Sequence, residues 1–269
     1  MLITSPHNPH VRAAARLRDR RQRERQGRTL IDGARELLRA VQACVPLVEV
    51  FVCRPLCTGE DAQRVLALLP GRGVKVIELA EPVFAKVAFG DRADGLLAVA
   101  PVPRRTLADL QLSPQPLVAV LDGVEKPGNV GAVLRSADGA GLDAVLLADA
   151  RTDLYNPNAI RASLGTIFTL PVAAASGVEV RDWLKQQQLQ IVAARVDGAV
   201  PYTQLDFRRP TAIVLGSEAA GLGSRWSGAA VQAVCLPMLG AADSLNVSAA
   251  AAVLFYEARR QRSSGPVKE

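Results

Sequence analysis

The sequence predicts an α/β protein of two domains, and three observations support this. Apolar, β-rich runs alternate with amphipathic helical segments along the 269-residue chain, as in parallel sheets covered on both faces. A proline-rich stretch from Pro101 to Pro116 interrupts this alternation and is typical of a linker. The chain is 49% hydrophobic but only 4% aromatic, which predicts cores of Ala, Val and Leu. We expect a smaller domain at 1–102, a linker at 103–116, a second domain at 117–262 and a disordered tail at 263–269.

The first domain is predicted to begin with a basic helix from about Asn8 to Gln26. Strands and helices then alternate, because β-rich runs follow amphipathic segments and a proline stands in the first turn of the last helix. The predicted strands are 29–31, 48–53, 74–79 and 95–100, and the predicted helices begin at Gly33, Gly59 and Glu81.

The second domain repeats the alternation, so its sheet is expected to be largely parallel. Its predicted strands are 117–122, 143–149, 190–195, 211–216 and 231–237, with a further apolar run at 168–172. Its predicted helices are 129–141, about 158–165, 178–188 and a final Ala-rich helix.

Basic charge is concentrated near the N-terminus. Residues 1–105 hold 18 Lys and Arg against 11 Asp and Glu, and eight arginines between residues 12 and 28 face only Asp19 and Glu24. Such a run is either a solvated helix face or a phosphate-binding surface. Clustered arginine favours the second reading, because a guanidinium contacts phosphate through two parallel hydrogen bonds. The charge therefore indicates a nucleic-acid partner, with Arg18, Arg21 and Arg25 as candidate contacts.

Several other classes of protein do not fit the sequence. No apolar run reaches the roughly 18–20 residues of a membrane span, and the polar N-terminus does not resemble a signal peptide. The four cysteines lack metal-ligand spacing, and both histidines lie within the first ten residues. We therefore expect no membrane association, no metal, no disulfide framework and a cytoplasmic location.

Three loops that follow predicted strands carry candidate site residues, since open α/β sheets bind ligands at the carboxyl ends of their strands. In the first, "LDGVEKPGNVGAVLRSADGAG", Gly128 and Gly131 give G-x-x-G rather than the G-x-G-x-x-G of dinucleotide sites. Asn129 is a helix cap or a site residue. Arg135 lies in a helix otherwise suited to burial and needs an anionic partner or an open cleft.

The other two loops are ambiguous when taken singly. "IVLGSEAAGLG" (213–223) is either a flexible turn or a loop whose backbone binds a flat ligand, with Glu218 as its one acid. "LPMLGAADSLNVSAAAAVLF" (236–255) contains Ser244, a good helix N-cap. That reading leaves Asn246 unexplained.

Taken together and in this order, the three loops are specific. "DGVEKPGNVGAVLRSADGAG", "VLGSEAAGLG" and "LPMLGAADSLNVSAAAAVLFYEARRQ" resemble the three motifs of the SpoU-type (TrmH-like) RNA ribose 2′-O-methyltransferases of the SPOUT superfamily. "YNPNAIRASLGTIFTLPV" (155–172) also fits. "ITSPHNPHVRAAARL…RTLIDGARELL" is similar to members with an added RNA-binding domain. The resemblance covers nearly the whole chain, and Asp32 departs from it where many relatives carry Glu.

The resemblance implies a deep trefoil knot in the C-terminal domain, S-adenosylmethionine as cofactor, a homodimer and RNA as substrate, with ribosomal RNA favoured. It assigns activation of the 2′-hydroxyl to Arg135 and makes Arg161 a phosphate contact. The other catalytic residues that it implies, which help to position the site, are Asn129, Glu218, Ser244 and Asn246. The cofactor-binding residues that it implies are Leu215, Gly216, Glu218, Leu236, Met238, Ser244, Leu245 and Asn246.

The sequence leaves alternatives open. A tRNA substrate, a non-catalytic RNA-binding protein with a relic methyltransferase fold and an NAD-dependent oxidoreductase remain as other readings, and neither the RNA nor the methylated nucleotide is identified. The family assigns activation of the 2′-hydroxyl to the arginine at position 135. Because a guanidinium hardly loses its proton in a protein, the alternative is that Arg135 binds the adjacent phosphate and orients the hydroxyl while that phosphate or a water takes the proton.

Overall fold

A computed structural model describes residues 2–88, 94–198, 200–218 and 220–263. The chain forms two compact units. The first consists of Met1–Pro103 and Tyr155–Thr169, and the second of Arg104–Leu154 and Leu170–Glu269. Both units combine helices with a sheet, so the α/β fold class predicted from the alternating pattern is confirmed.

The first unit contains a mixed five-stranded sheet in the order β1-β4-β3-β5-β2. β4 is parallel to β1 and β3, and β5 is antiparallel to β2 and β3. The strands are β1 (Leu2–Ile3), β2 (Arg28–Asp32), β3 (Glu49–Val52), β4 (Lys75–Leu79) and β5 (Leu96–Pro101). The helices up to residue 88 are α1 (Pro9–Arg16), α2 (Arg20–Gln26), α3 (Ala34–Gln42), α4 (Glu60–Leu68) and α5 (Glu81–Val87).

The prediction of one basic helix at 8–26 is wrong, because the segment forms the two helices α1 and α2. The Asp19 side chain accepts the backbone N–H of Gln22 at 3.1 Å and starts α2. The buried Arg23 guanidinium donates to the carbonyls of Leu17 and Arg18, at 2.8 and 2.7 Å, beyond the end of α1. Arg23 is therefore occupied by the fold, whereas arginines on the outer faces of both helices are exposed.

The second unit contains a seven-stranded sheet in the order β10-β12-β9-β11-β6-β7-β8, with every pairing parallel, as predicted. The strands are β6 (Leu117–Asp122), β7 (Ala144–Ala148), β8 (Val172–Ala175), β9 (Gln190–Ala194), β10 (Val200–Pro201), β11 (Thr211–Leu215) and β12 (Val231–Cys235). The helices after residue 103 are α6 (Pro127–Ala140), α7 (Pro157–Ala162), α8 (Gly177–Gln186) and α9 (Val247–Arg262), of which α7 belongs to the first unit.

The strand order determines where the loops meet. β11 lies between β9 and β6, and β12 pairs with β9 on its other side. Because all of these strands are parallel, the loops that leave β6, β9, β11 and β12 emerge at one edge of the sheet. α9 packs against α6.

Residues 155–169 were predicted to belong to the second domain at 117–262. In the structure they lie in the first unit. The Thr29 hydroxyl donates to the carbonyl of Tyr155 at 2.6 Å, and the Arg39 guanidinium donates to the carbonyl of Leu164 at 2.5 Å. Gly165 has a φ of +80°, and a Cβ there would lie 2.8 Å from the Cα of Glu36. Residues 155–169 therefore pack against β2 and α3 of the first unit.

The predicted linker also differs, because most of it packs on the second unit. Leu107, Leu110 and Leu112 lie against the core of that unit. The Asp143 carboxylate accepts the backbone N–H groups of Ser113 and Leu117, both at 2.8 Å. The segment was predicted to be a linker because of its prolines, and the spacing of these three leucines was not taken into account.

Two other predictions concern the ends and faces of the chain. From residue 264 onward, the predicted disordered tail lies outside the described residues. Within the described ranges, the helices are too short or too polar to cross a bilayer.

Candidate active site

A cavity of about 540 Å³ opens in the second unit among the loops that follow β9, β11 and β12. This volume lies within the range of small-molecule and cofactor sites. The predicted cofactor-binding residues that line it are Leu215, Gly216, Glu218, Leu236, Met238, Ser244 and Leu245. Asn246, the remaining predicted residue, lies beside the cavity and contacts Glu218.

Sequence reasoning missed the wall of the cavity formed by Ala194 to Asp197, which follows β9. The Arg195 guanidinium forms two hydrogen bonds with Asp197, from Nε to Oδ1 at 2.7 Å and from Nη2 to Oδ2 at 3.0 Å. Its third nitrogen, Nη1, donates to the carbonyl of Leu222 at 3.4 Å. Arg195 therefore ties the loop after β9 to the loop after β11.

The loop after β11, Gly216 to Gly223, is referred to below as the glycine loop. It closes on itself, since the N–H of Gly221 donates to the carbonyl of Ser217 at 2.9 Å. A Cβ on Gly216 would overlap the backbone of Gly221 and lie 2.8 Å from the nitrogen of Leu222. Glycine is thus required at 216 by this close approach.

Glu218 is the centre of a polar network that joins three loops. Its Oε1 accepts the side-chain amides of Asn129 at 3.0 Å and Asn246 at 2.5 Å, and its Oε2 accepts the Lys126 ammonium at 2.6 Å. The two asparagine side chains lie 3.4 Å apart, from Nδ2 of Asn246 to Oδ1 of Asn129. The structure therefore brings together three predicted site residues and adds Lys126, which the sequence analysis did not single out.

This network keeps the Glu218 carboxylate ionised. The hydrogen bond from Lys126 lowers the pKa of Glu218 most, and those from Asn129 and Asn246 lower it further. The same contact with Glu218 raises the pKa of Lys126.

We expect the affinity for S-adenosylmethionine to depend on the ionisation of Glu218. A carboxylate whose pKa is lowered by folding stabilises the native loops above its ordinary pKa and loses that effect as the pH falls through the lowered value. Affinity should stay level between pH 7 and 5 and weaken only as the pH falls from the ordinary glutamate value of 4.5 through the lowered pKa of Glu218. Titration calorimetry across this range checks it, with Glu218→Gln as control. Retention of full affinity by Glu218→Gln would contradict the role of the carboxylate.

The reading of Ser244 as the helix cap is wrong, because α9 begins at Val247 and Asn246 is its N-cap. The Asn246 side-chain oxygen accepts the backbone N–H of Ser248 at 3.0 Å and the Ser248 hydroxyl at 2.6 Å. Its amide nitrogen remains for Glu218. Asn246 therefore caps the helix and joins the network through opposite ends of one side chain, while Ser244 lines the cavity.

Arg135 lies on an exposed face of α6 and does not line the cavity. It is six residues beyond Asn129, a rise of roughly 9 Å along the helix axis. Among the described residues it forms no hydrogen bond or ion pair. The sequence left two alternatives for Arg135, an anionic partner or an open cleft. In the structure its side chain is exposed on the surface, without an anionic partner among the described residues.

The predicted RNA contacts all lie in the first unit. Arg21 and Arg25 are exposed on α2, and Arg25 donates to the Gln22 side chain at 2.8 Å. The Arg18 guanidinium donates to the carbonyl of Ala88. Arg161 lies 3.9 Å from the buried carboxylate of Asp32 and is itself about one-quarter exposed. Arg21 and Arg25 are thus the most accessible of the predicted phosphate contacts.

Comparison with known proteins identifies the family. Residues 116–256, more than half of the chain, match the SpoU rRNA Methylase family. The chain belongs to this family. Residues 8–98 match an MRM3-like substrate binding domain, which agrees with the N-terminal extension expected from the sequence.

Individual relatives match over nearly their full lengths. The chain is 31% identical to a 23S rRNA (uridine(2479)-2'-O)-methyltransferase of Streptomyces viridochromogenes, across 98% of this chain and 93% of the relative. A crystal structure of an RNA 2'-O ribose methyltransferase is 46% identical, with a TM-score of 0.86, and the match covers 97% of this chain and 99% of that one. An AdoMet-bound rRNA methyltransferase from Sinorhizobium meliloti is 27% identical, with a TM-score of 0.86 and coverage of 98% and 99%.

These matches confirm the predicted family, the enzyme class and S-adenosylmethionine as methyl donor. The cavity fits that cofactor chemically. Asp197, Glu218 and Asp243 outnumber Arg195 among its charged lining residues, which suits a ligand that carries a sulfonium and an ammonium beside one carboxylate. No cluster of three or more His, Cys, Asp or Glu suited to a metal occurs in the part of the chain that the structure describes.

Proposed function

We propose that this member of the SpoU family methylates a ribose 2′-hydroxyl of ribosomal RNA. The observation that carries the proposal is the junction of Asn129, Glu218 and Asn246, three residues from separate motifs, beside a cavity of cofactor size. The near full-length similarity to an enzyme named for 23S rRNA favours ribosomal RNA over the tRNA alternative. Membership of a family of methylases disfavours the alternative of a relic fold without catalysis.

We assign roles to the site residues as follows. S-adenosylmethionine supplies an electrophilic methyl group on its sulfonium. The backbones of Leu215, Leu236 and Met238 bind the adenosine part, and the Glu218 network fixes the wall of the cavity beside Asn129. Arg135 binds the RNA phosphate next to the target ribose and orients the 2′-hydroxyl, whose proton passes to that phosphate or to a water, since a guanidinium stays protonated.

We propose that the enzyme is a homodimer and that Arg135 acts in a site completed by the partner subunit. Support comes from the face that α6 and α9 present together, where Arg135 is exposed and pairs with none of the described residues. Tyr256 of α9 is 54% exposed there, and a Cβ on Gly139 would lie 2.9 Å from its hydroxyl. Small and aromatic side chains beside a cation suit a packed interface better than a solvated surface.

The trefoil knot and the cytoplasmic location remain predictions. Supporting the knot, β12 returns to pair with β9 rather than β11, and α9 then packs against α6. Supporting the location, the four cysteines are free thiols, and the proposed substrate is part of the ribosome.

Charge reversal in α2 should weaken RNA binding. Arg21→Glu and Arg25→Glu each remove one exposed cation, so each lost phosphate contact should lower the slope of log Kd against log salt by roughly 0.7–0.9. Filter binding of rRNA at several salt concentrations measures this. Arg72→Glu, an exposed arginine of the same unit, is the matched control. If the slope of log Kd against log salt is the same in all three variants, the arginines of α2 form only a solvated helix surface and do not bind RNA.

Mapping of 2′-O-methyl groups tests the proposed substrate. Ribosomal RNA and tRNA from cells with and without the protein are compared by their resistance to alkaline cleavage. We expect one position of ribosomal RNA to lose its methyl group when the protein is absent. A change confined to tRNA would overturn the choice of substrate.

A further inference from the structure

The glycine loop is followed directly by a short 3-10 turn, Ser224–Trp226, whose residues do not line the cavity. Trp226 is fully buried in the core of the second unit. Arg225, beside it, reaches across the ends of two strands. Its Nη1 lies 2.6 Å from Oδ2 of Asp149 and 3.6 Å from Oδ1 of Asp122. One guanidinium therefore connects the end of the glycine loop with the carboxyl ends of β6 and β7.

Both carboxylates are held in unusual surroundings. Asp149 has a φ of +48°, and its Oδ1 also accepts the backbone N–H of Gly177 at the start of α8, at 3.0 Å. Oδ1 of Asp122 is buried without a hydrogen bond of ordinary geometry. Burial raises the pKa of Asp122, and the neighbouring Trp226 indole and Arg225 guanidinium lower it in part. Arg225 thus supplies the charge that this buried acid needs.

The start of α8 leaves space for this arrangement. A Cβ on Gly177 would overlap the Arg225 guanidinium and lie 2.7 Å from Oδ2 of Asp149. The backbone at Gly177 has no positive φ, so alanine there would be unstrained apart from this collision. Glycine at 177 is therefore explained by the ion pair and not by the backbone conformation.

The glycine loop is consequently held at both ends by other loops. Near its start, Glu218 is held by Lys126 and Asn129, which follow β6. Directly after its end, in the 3-10 turn, Arg225 is held by Asp122, the last residue of β6, and by Asp149. Between these two points the loop forms one wall of the cavity.

We infer that Arg225 is a positioning residue for the methyl-donor site, which keeps the glycine loop in its binding conformation by fixing its far end to β6 and β7. The inference rests on the proposed cofactor cavity and concerns a residue outside it. The cavity is lined by residues of the glycine loop and not by Arg225, so loss of Arg225 should raise the Kd for S-adenosylmethionine through the loop and leave RNA affinity unchanged.

Three variants test this. Arg225→Gln removes the charge, and Arg225→Lys keeps it on an ammonium without the planar guanidinium whose Nη1 lies near both carboxylates. Gly177→Ala keeps the charge of Arg225 and displaces its guanidinium from the Asp149 carboxylate, so it decides the question if loss of the charge unfolds the chain. Arg208→Gln is the matched control, because Arg208 forms an exposed ion pair with Asp206 at 2.8 Å.

Calorimetric Kd values for S-adenosylmethionine are compared well below the Tm of each variant, together with kcat at saturating cofactor. We expect Arg225→Gln and Gly177→Ala to raise Kd on the order of tenfold, equivalent to about 1.4 kcal/mol. The Kd of Arg225→Lys should lie between those of these two variants and that of wild type. In all three variants kcat should stay close to the wild-type value. An unchanged Kd in Gly177→Ala and in folded Arg225→Gln would overturn the inference, even if Tm fell. Failure of the wild-type protein to bind the cofactor would instead overturn the proposed function.

Discussion

Arg135→Ala should lower methyl transfer by at least about 10²-fold, the low end for a positioned acid–base group. Arg135 is exposed on α6 and bonded to no described residue, so its removal should leave the fold intact. It does not line the cavity, so cofactor affinity should also stay near wild type. Single-turnover methylation of rRNA, together with a calorimetric Kd for S-adenosylmethionine, separates these effects. Near-normal transfer by this variant would remove Arg135 from the mechanism.

Two controls define what Arg135 does. Arg135→Lys should recover much of the rate if only positive charge on a phosphate is needed, and stay nearly as slow as alanine if the planar, two-pronged geometry matters. Mixed dimers of Arg135→Ala and Asn246→Ala chains test the subunit arrangement. If each site takes Arg135 from one chain and Asn246 from the other, one intact site forms per mixed dimer and activity partly returns. Absence of recovery would contradict a shared site.

Gly216→Ala should give the largest loss of cofactor affinity. A Cβ there would overlap the backbone of Gly221, so the glycine loop must move away from β11. Forcing an extra methyl group into a packed site typically costs about 1–3 kcal/mol, which corresponds to roughly 5- to 150-fold in Kd. Calorimetry with S-adenosylmethionine measures the change.

The same loop provides the control for this experiment. A Cβ on Gly223 would have no atom of the described residues within 4 Å, and the φ of Gly223 is −71°. Gly223→Ala should therefore bind S-adenosylmethionine like wild type. Equal losses in the two variants would mean that affinity depends on loop flexibility and not on the close approach at Gly216.

The sequence was sufficient to predict the residues that are marked by local pattern. Leu215 and Gly216 end an apolar strand and begin a glycine loop, and Leu236 and Met238 follow the next strand, so their place at the carboxyl edge of a parallel sheet could be expected. Asn129, Glu218 and Asn246 were found only through the order of three motifs. Their junction depends on the spatial order of β6, β11 and β12, which periodicity does not determine.

The residues that were missed depend on contacts between distant parts of the chain. In the sequence, nothing distinguishes Lys126 and Arg195 from other surface cations. Their contacts with the glycine loop arise because β6 and β9 lie on either side of β11. Asp19 breaks the basic helix because it caps α2, a role open to any aspartate in such a run. Residues 155–169 pack in the first unit through backbone carbonyls that accept from Thr29 and Arg39, and backbone acceptors leave no mark on composition.

The most direct test of the account is the chemical identity of the methylated product. Ribosomal RNA that lacks the modification is incubated with the protein and S-adenosylmethionine carrying a tritiated methyl group, then digested completely to nucleosides. The account predicts that the label appears in a single 2′-O-methylnucleoside in this digest, and in an uncleaved dinucleotide when a separate portion of the labelled RNA is hydrolysed with alkali. Arg135→Ala should lose this label. Label in a methylated base, or no transfer by a protein that binds the cofactor and the RNA, would contradict it.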